Sequence, residues 1–282
     1  MTRKNISLAL LYAAAFLAIQ FLAQLLVTMT YMVITRQTVE TMPPVCNIAI
    51  MVLFSVATIA LFLKMGWATA SRTYMRSRPW DVLLWSVIAS MGAIVPSLFV
   101  QGILPEWTGW LKEVADQTNE QLEGLMSVPG GYMVIALLPP VVEELVFRGT
   151  VLKCILPRPL PGVSGEARPA RSVWPAIFLS SLIFALAHLN PAQLPHAFLI
   201  GLLLGWMYAR TGSIIPGVAY HWANNTAAYV MYHVYHNPQS LTDIIGTGTR
   251  PLLLALLFSL CILIPALYQL NQRMNYVPDA EE

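Results

Sequence analysis

Runs of about 20 mostly apolar residues, the length that crossing a membrane as a helix requires, recur along this chain between short polar or Pro/Gly-rich breaks. They fall at 6–34, 44–64, 81–104, 131–156, 173–189, 195–210, 213–233 and 251–270. The pattern predicts an all-α fold, a polytopic transmembrane helical bundle of roughly eight spans, two of them short. The first run has the basic start of a leader, "MTRK", yet its apolar stretch continues to Ile34. A cleavable leader has an apolar core of only about 7–15 residues, so this segment is expected to stay as an anchoring span.

Two breaks carry patterns of their own. Segment 104–131 sets Leu111, Val114, Leu122 and Leu125 among acids and amides, with Trp107 and Trp110 at its start. This predicts an amphipathic interfacial helix between spans three and four, its tryptophans at headgroup level. Segment 157–172 is rich in Pro, Gly, Ser and Arg, which offer little apolar surface to bury, and reads as a linker. The chain accordingly divides into N-terminal helices with the interfacial segment (1–130), a central membrane core (131–235), and an external loop with the C-terminal helix (236–282).

Composition agrees with the pattern: 57% of the 282 residues are hydrophobic and only 11% are charged, where soluble domains average about 25% charged. The net charge of +2 comes from scattered Lys and Arg, without a basic stripe, so nucleic acid is excluded as a partner. With the N-terminus inside, about 12 Lys and Arg fall on the cytoplasmic side against about 3 on the other. Both termini are then expected in the cytoplasm of an integral membrane protein. Cys46, Cys154 and Cys261 lie in or beside apolar runs without metal-ligand spacing and read as packing residues.

An ionisable side chain inside a span costs about 2.5–3.5 kcal/mol or more unless paired, which makes each one a functional candidate. The runs hold few. Span four, "VVEELVFRGT", carries Glu143, Glu144 and Arg148. Glu144 and Arg148 are four apart, the spacing and order of a helical ion pair, whereas Glu143 points about 100° away and is free to address another helix. His188 ends span five before Asn190 and Pro191, and His196 opens span six. In span seven His221 and Asn225 are four apart on one face, with Asn224 off that face and better placed to bond between helices. His233 and His236 lie in a polar stretch and read as solvated. The GxxxG of Gly201 and Gly205 reads as a close helix contact. Pro139, Pro140 and Pro216 should break helices and free backbone groups near these residues.

One unpaired carboxylate, two imidazoles and an amide on three spans suffice to hydrolyse an amide. Glu143 with His188 could deprotonate a water, and His221 with Asn225 could donate hydrogen bonds to the oxyanion of the tetrahedral intermediate. Glu with two His is also a zinc ligand set, although no HExxH occurs. The same groups would serve a proton- or metal-coupled transporter, but no inverted repeat is visible. A non-proteolytic scaffold or immunity protein is the third class these residues leave open.

"EELVFR", "FALAH" and "HWANN" resemble, in order and spacing, the EExxxR, FxxxH and HxxxN motifs of the CPBP family of intramembrane proteases, which includes the type II CAAX prenyl endopeptidases and bacteriocin-processing proteins. The resemblance covers about residues 131–232. It implies a glutamate-dependent endopeptidase in which Glu143 and His188 activate water and His221 with Asn225 forms the oxyanion site. Glu144 and Arg148 would be supporting positions. It implies a peptide or membrane-protein substrate, location in a bilayer such as the bacterial cytoplasmic membrane, and no required cofactor, with zinc as the alternative.

Overall fold

The computed structural model describes residues 2–68, 72–103, 109–157, 172–235 and 241–275. Among them the chain is an all-α bundle, with α1 at Arg3–Thr35, α2 at Pro44–Lys64, α3 at Arg72–Arg76, α4 at Trp80–Ile103 and α5 at Trp110–Met126. A composite helix α6 runs over 133–155. It is followed by α7 at Trp174–Ala187, α8 at Leu194–Thr211, α9 at Ile215–Val234, α10 at Leu241–Ile245 and α11 at Thr249–Arg273. Each of the eight apolar runs is thus a helix. Four of them, in α1, α2, α4 and α11, are long and apolar enough to cross a membrane by length and composition.

The most apolar of the shorter helices, α7, explains a feature of the site. It spans only Trp174–Ala187. At the helical rise per residue such a segment extends roughly 20 Å, short of the hydrocarbon core of roughly 30 Å. Its C-terminal residue can therefore lie beside the middle of a longer neighbour.

Helix α6 departs from the regular α geometry expected of span four. Met133–Leu137 and Glu144–Leu152 form π-helical turns around the α-helical stretch Leu138–Glu143. Hydroxyl groups take two carbonyls of the second π segment: Thr150 Oγ1 donates to Leu145 O at 3.2 Å and Ser180 Oγ to Phe147 O at 3.1 Å. Such π segments occur mostly where a helix is re-aimed for function. Pro216 does not break α9, contrary to expectation. It occupies the helix's first turn, where an N–H would lack an intrahelical acceptor anyway.

Packing divides into two main layers of contact. One cluster joins α1, α2, α6, α7 and α8 through Phe16, Phe54, Phe62, Phe147, Phe184 and Ile177. The other joins α4, α8, α9 and α11 through Val82, Ala89, Leu204, Tyr220 and Ala266. The GxxxG of α8 makes the first possible. A Cβ at Gly201 would stand 2.9 Å from Ser181 Cβ, and one at Gly205 only 2.8 Å from Ile177 Cγ2. α5 buries Met126 and packs Leu122 and Leu125 against Ile48, Met51 and Val134, leaving Trp110 exposed. Its amphipathic character is as expected, whereas Trp107 and the linker at 158–171 lie outside the described residues.

Replacing Gly201 by Leu should lower the thermal unfolding midpoint in detergent, because overpacking costs about 1–3 kcal/mol. Gly124 in α5 has open space around it. Gly124→Ala should raise the midpoint slightly, since a helical Gly costs roughly 0.5–1 kcal/mol relative to Ala.

Candidate active site

Glu143, Glu144 and Arg148 of α6 sit at the junction of α6, α7, α8 and α9. Glu144 and Arg148 are fully buried at 0% and 1% exposure, and Arg148 Nη1 lies 2.8 Å from Glu144 Oε1. Arg148 Nη2 donates to Gly201 O on α8 at 3.3 Å, and its guanidinium stands 4.2 Å over the Phe184 ring of α7. Space for the acid comes from α9. A Cβ at Gly217 would fall 2.6 Å from Glu144 Oε2, so only glycine lets the carboxylate lie against that helix.

Glu143 faces away from this pair, as helical geometry predicts. Its Oε2 is 3.9 Å from His188 Nε2 and 3.9 Å from His221 Nε2. Both distances are too long for direct hydrogen bonds, and this buried oxygen has no hydrogen-bond partner in the protein. His188 caps the C-terminus of the short α7, and its Nδ1 is 2.9 Å from Phe184 O. A carbonyl only accepts, so Nδ1 carries the proton. In the neutral ring, Nε2 then presents a lone pair toward Glu143.

His221 joins the two acids in a way the sequence did not suggest. Its Nδ1 lies 3.7 Å from Glu144 Oε1 while its Nε2 faces Glu143, so the supporting pair and the free carboxylate are one electrostatic unit. Phe184 is the common wall. Its ring centroid lies 4.8 Å from that of His188, 6.2 Å from that of His221 and 5.1 Å from that of Phe147.

Asn225 finds its partner on α6 rather than in His221. Its Nδ2 donates to Ile135 O at 3.0 Å. In α-helical geometry that carbonyl would accept from residue 139, and in π geometry from residue 140. Both are proline and have no N–H. The carbonyl is orphaned either way, and the amide satisfies it. Asn224 bonds between helices as expected, its Nδ2 being 3.4 Å from His196 Nε2. His196, whose role the sequence left open, also bonds Ser97 of α4. His233 belongs to the last turns of α9 instead of a loop, exposed and packed edge-on against Tyr229 and Tyr232, while His236 lies outside the described residues. Among the described residues no group of three or more His, Cys, Asp or Glu is arranged to hold a metal ion.

Residues 126–227 match the family described as type II CAAX prenyl endopeptidase Rce1-like. That segment contains all three motifs. The chain is also similar to the protein named "Putative membrane peptidase YdiL" of Bacillus subtilis (strain 168), at 24% identity over 169 residues, 58% of this chain. The aligned region spans 63% of that relative's length. No solved structure matches the chain.

Arg148→Met should destabilise the protein by about 3–5 kcal/mol, because it leaves Glu144 buried without its counter-ion. Adding Glu144→Gln should recover most of that loss in thermal denaturation of the detergent-solubilised protein. A double variant no more stable than Arg148→Met would contradict the pairing.

Proposed function

We propose that this chain is an intramembrane endopeptidase in which Glu143 and His188 activate a water to hydrolyse a peptide bond of a membrane-associated peptide or protein. The observation that carries this reading is the buried Glu143 Oε2, equidistant from two imidazole Nε2 atoms at 3.9 Å and without a protein partner. A polar contact of that length is one that a water bridges. Such a water donates one hydrogen to Glu143 Oε2 and the other to the lone pair of His188 Nε2. Its own lone pair is then turned toward a scissile carbonyl.

As the oxygen attacks the carbonyl carbon, Glu143 takes the water's proton and the C=O electrons move to an oxyanion. His221 presents its Nε2 to the same space, 3.9 Å from Glu143, and an Nε2–H there would donate to that oxyanion. Asn225 supplies a second donor from the Nδ2 hydrogen that Ile135 O does not use. Collapse of the intermediate breaks the C–N bond, and the proton held by Glu143 passes to the leaving amine. This scheme requires no metal. The similarity to a segment of the prenyl endopeptidase family and to a protein named as a membrane peptidase supports the reaction class.

Glu143→Gln, nearly isosteric, should lower cleavage of quenched fluorogenic peptide pools in proteoliposomes by at least about 10²-fold, the lower end of what a general base contributes. Undiminished cleavage would sink this reading, and substrate flux without cleavage would favour a transporter. Dialysis against a chelator should leave the activity intact. Loss that zinc restores would transfer the water's activation to a metal.

We also propose, from the Lys and Arg distribution, that both termini lie in the cytoplasm of a cell whose inner membrane holds the chain. A C-terminal fusion to a reporter active only outside the cytoplasm should therefore be silent.

A further inference from the structure

A second polar chain crosses α4, α8 and α9 beside the site and reaches it at Asn225; its other members, Ser97, His196 and Asn224, take no part in the scheme above. Ser97, buried one residue after Pro96 in α4, is in short hydrogen-bond contact with His196 Nδ1. His196 Nε2 lies 3.4 Å from Asn224 Nδ2, which is 3.5 Å from Asn225 Oδ1. Asn225 Nδ2 completes the chain at Ile135 O.

Donor and acceptor chemistry gives this chain one direction. An amide nitrogen only donates and a carbonyl only accepts. The orphaned Ile135 O therefore fixes Asn225 with Nδ2 toward it, which turns Oδ1 toward Asn224. Asn224 must present Nδ2 to that oxygen, and the second hydrogen of the same Nδ2 requires an acceptor in His196. Nε2 is then the unprotonated nitrogen, and Nδ1–H donates to Ser97. Reversing any one amide would set oxygen against oxygen or N–H against N–H at the next contact.

We infer that His196 is a positioning residue for the oxyanion site: acting through Asn224, it locks the amide of Asn225 so that its N–H face, and never its oxygen, is offered to the reacting carbonyl. This rests on the assignment of Asn225 as an oxyanion donor. Without the His196 acceptor, Asn224 is no longer held with Nδ2 toward Asn225 Oδ1, and Ile135 O alone holds the Asn225 amide. An amide that turns away from Ile135 O would repel the developing oxyanion.

The test uses the full chain in proteoliposomes with the fluorogenic peptide pools and Glu143→Gln as control. His196→Leu should lower kcat by about 10²-fold, the scale of a misaligned or missing donor, with KM within about twofold. His196→Gln, whose side-chain oxygen can accept from Asn224, should restore most of kcat. An unchanged kcat in His196→Leu, or a His196→Gln variant as impaired as His196→Leu, would overturn the proposal while leaving the Glu143 reading intact. Loss of the Glu143 dependence itself would instead remove the reading of the reaction. A measurement independent of cleavage is the tautomer of His196 by nitrogen-15 NMR of histidine-labelled protein in bilayers, with the resonance assigned by its absence in His196→Gln. The proposal requires a neutral ring protonated at Nδ1. An Nε2-protonated ring or an imidazolium at neutral pH would reverse the chain and overturn it.

Discussion

The ion pair of Glu144 and Arg148 is the interaction around which the central helices are arranged. Removing two ions from water costs several kcal/mol each, and their mutual attraction offsets this only when the remaining donors and acceptors are also met. Here the neighbouring helices surround the pair, although neither Glu144 oxygen nor Arg148 Nη1 has a hydrogen bond of regular geometry. α8 gives the Gly201 carbonyl, α7 gives the face of Phe184, and α9 gives both the His221 nitrogen and the room left by Gly217. Gly201 serves twice, since its absent Cβ lets α8 approach α7 and its carbonyl accepts from Arg148. An arrangement with this many dependencies fixes four helices relative to one another. That rigidity is what a site holding reacting groups in fixed geometry requires.

A second constraint is the accounting of backbone carbonyls. In a membrane each unpaired carbonyl is costly, so a proline inside a span must be answered by a donor from elsewhere. Pro96 deprives Gly92 O of its helical partner, and Ser259 Oγ of α11 donates to that oxygen at 2.7 Å. The close approach this needs is allowed because Gly92 has no side chain: a Cβ there would fall 2.7 Å from Leu263 N. Pro139 and Pro140 do the same to Ile135 O, and Asn225 answers. The two cases share a physical cause. The second has an added consequence, because it orients an amide at the edge of the site.

Much of this was legible in the sequence. The eight helices follow from apolar run length, and the split between Glu143 and the Glu144–Arg148 pair follows from helical angles. Neither inference needs tertiary information. Contacts between segments distant in the chain were not legible. Gly217 as a cradle, Gly201 O as an acceptor and Phe184 as a wall depend on which helix faces which, and a single sequence does not encode that openly. The partner of the Asn225 amide, Ile135 O, was hidden for a related reason. The four-residue spacing of His221 and Asn225 places them on one face, but an orphaned carbonyl on another helix is the stronger claim on the amide. The consecutive prolines were the available signal, because they leave Ile135 O unpaired in either helical geometry.

The shortness of α7 settles how a residue at a helix end can meet one in the middle of another. A helix confined to Trp174–Ala187 is too short to cross a bilayer core of roughly 30 Å, so the His188 at its end can stand beside the middle of α6, 3.9 Å from Glu143. The last carbonyls of α7 have no intrahelical donors. His188 Nδ1 supplies one for Phe184 O. That bond fixes the ring's tautomer and leaves Nε2 as an acceptor facing the acid. The chemistry of the imidazole is thus set by the need to cap a helix that stops early. Likewise, the orientation of the Asn225 amide is set by the need to answer two prolines. At both positions a polar side chain is held in place by a backbone group that its own helix leaves unpaired.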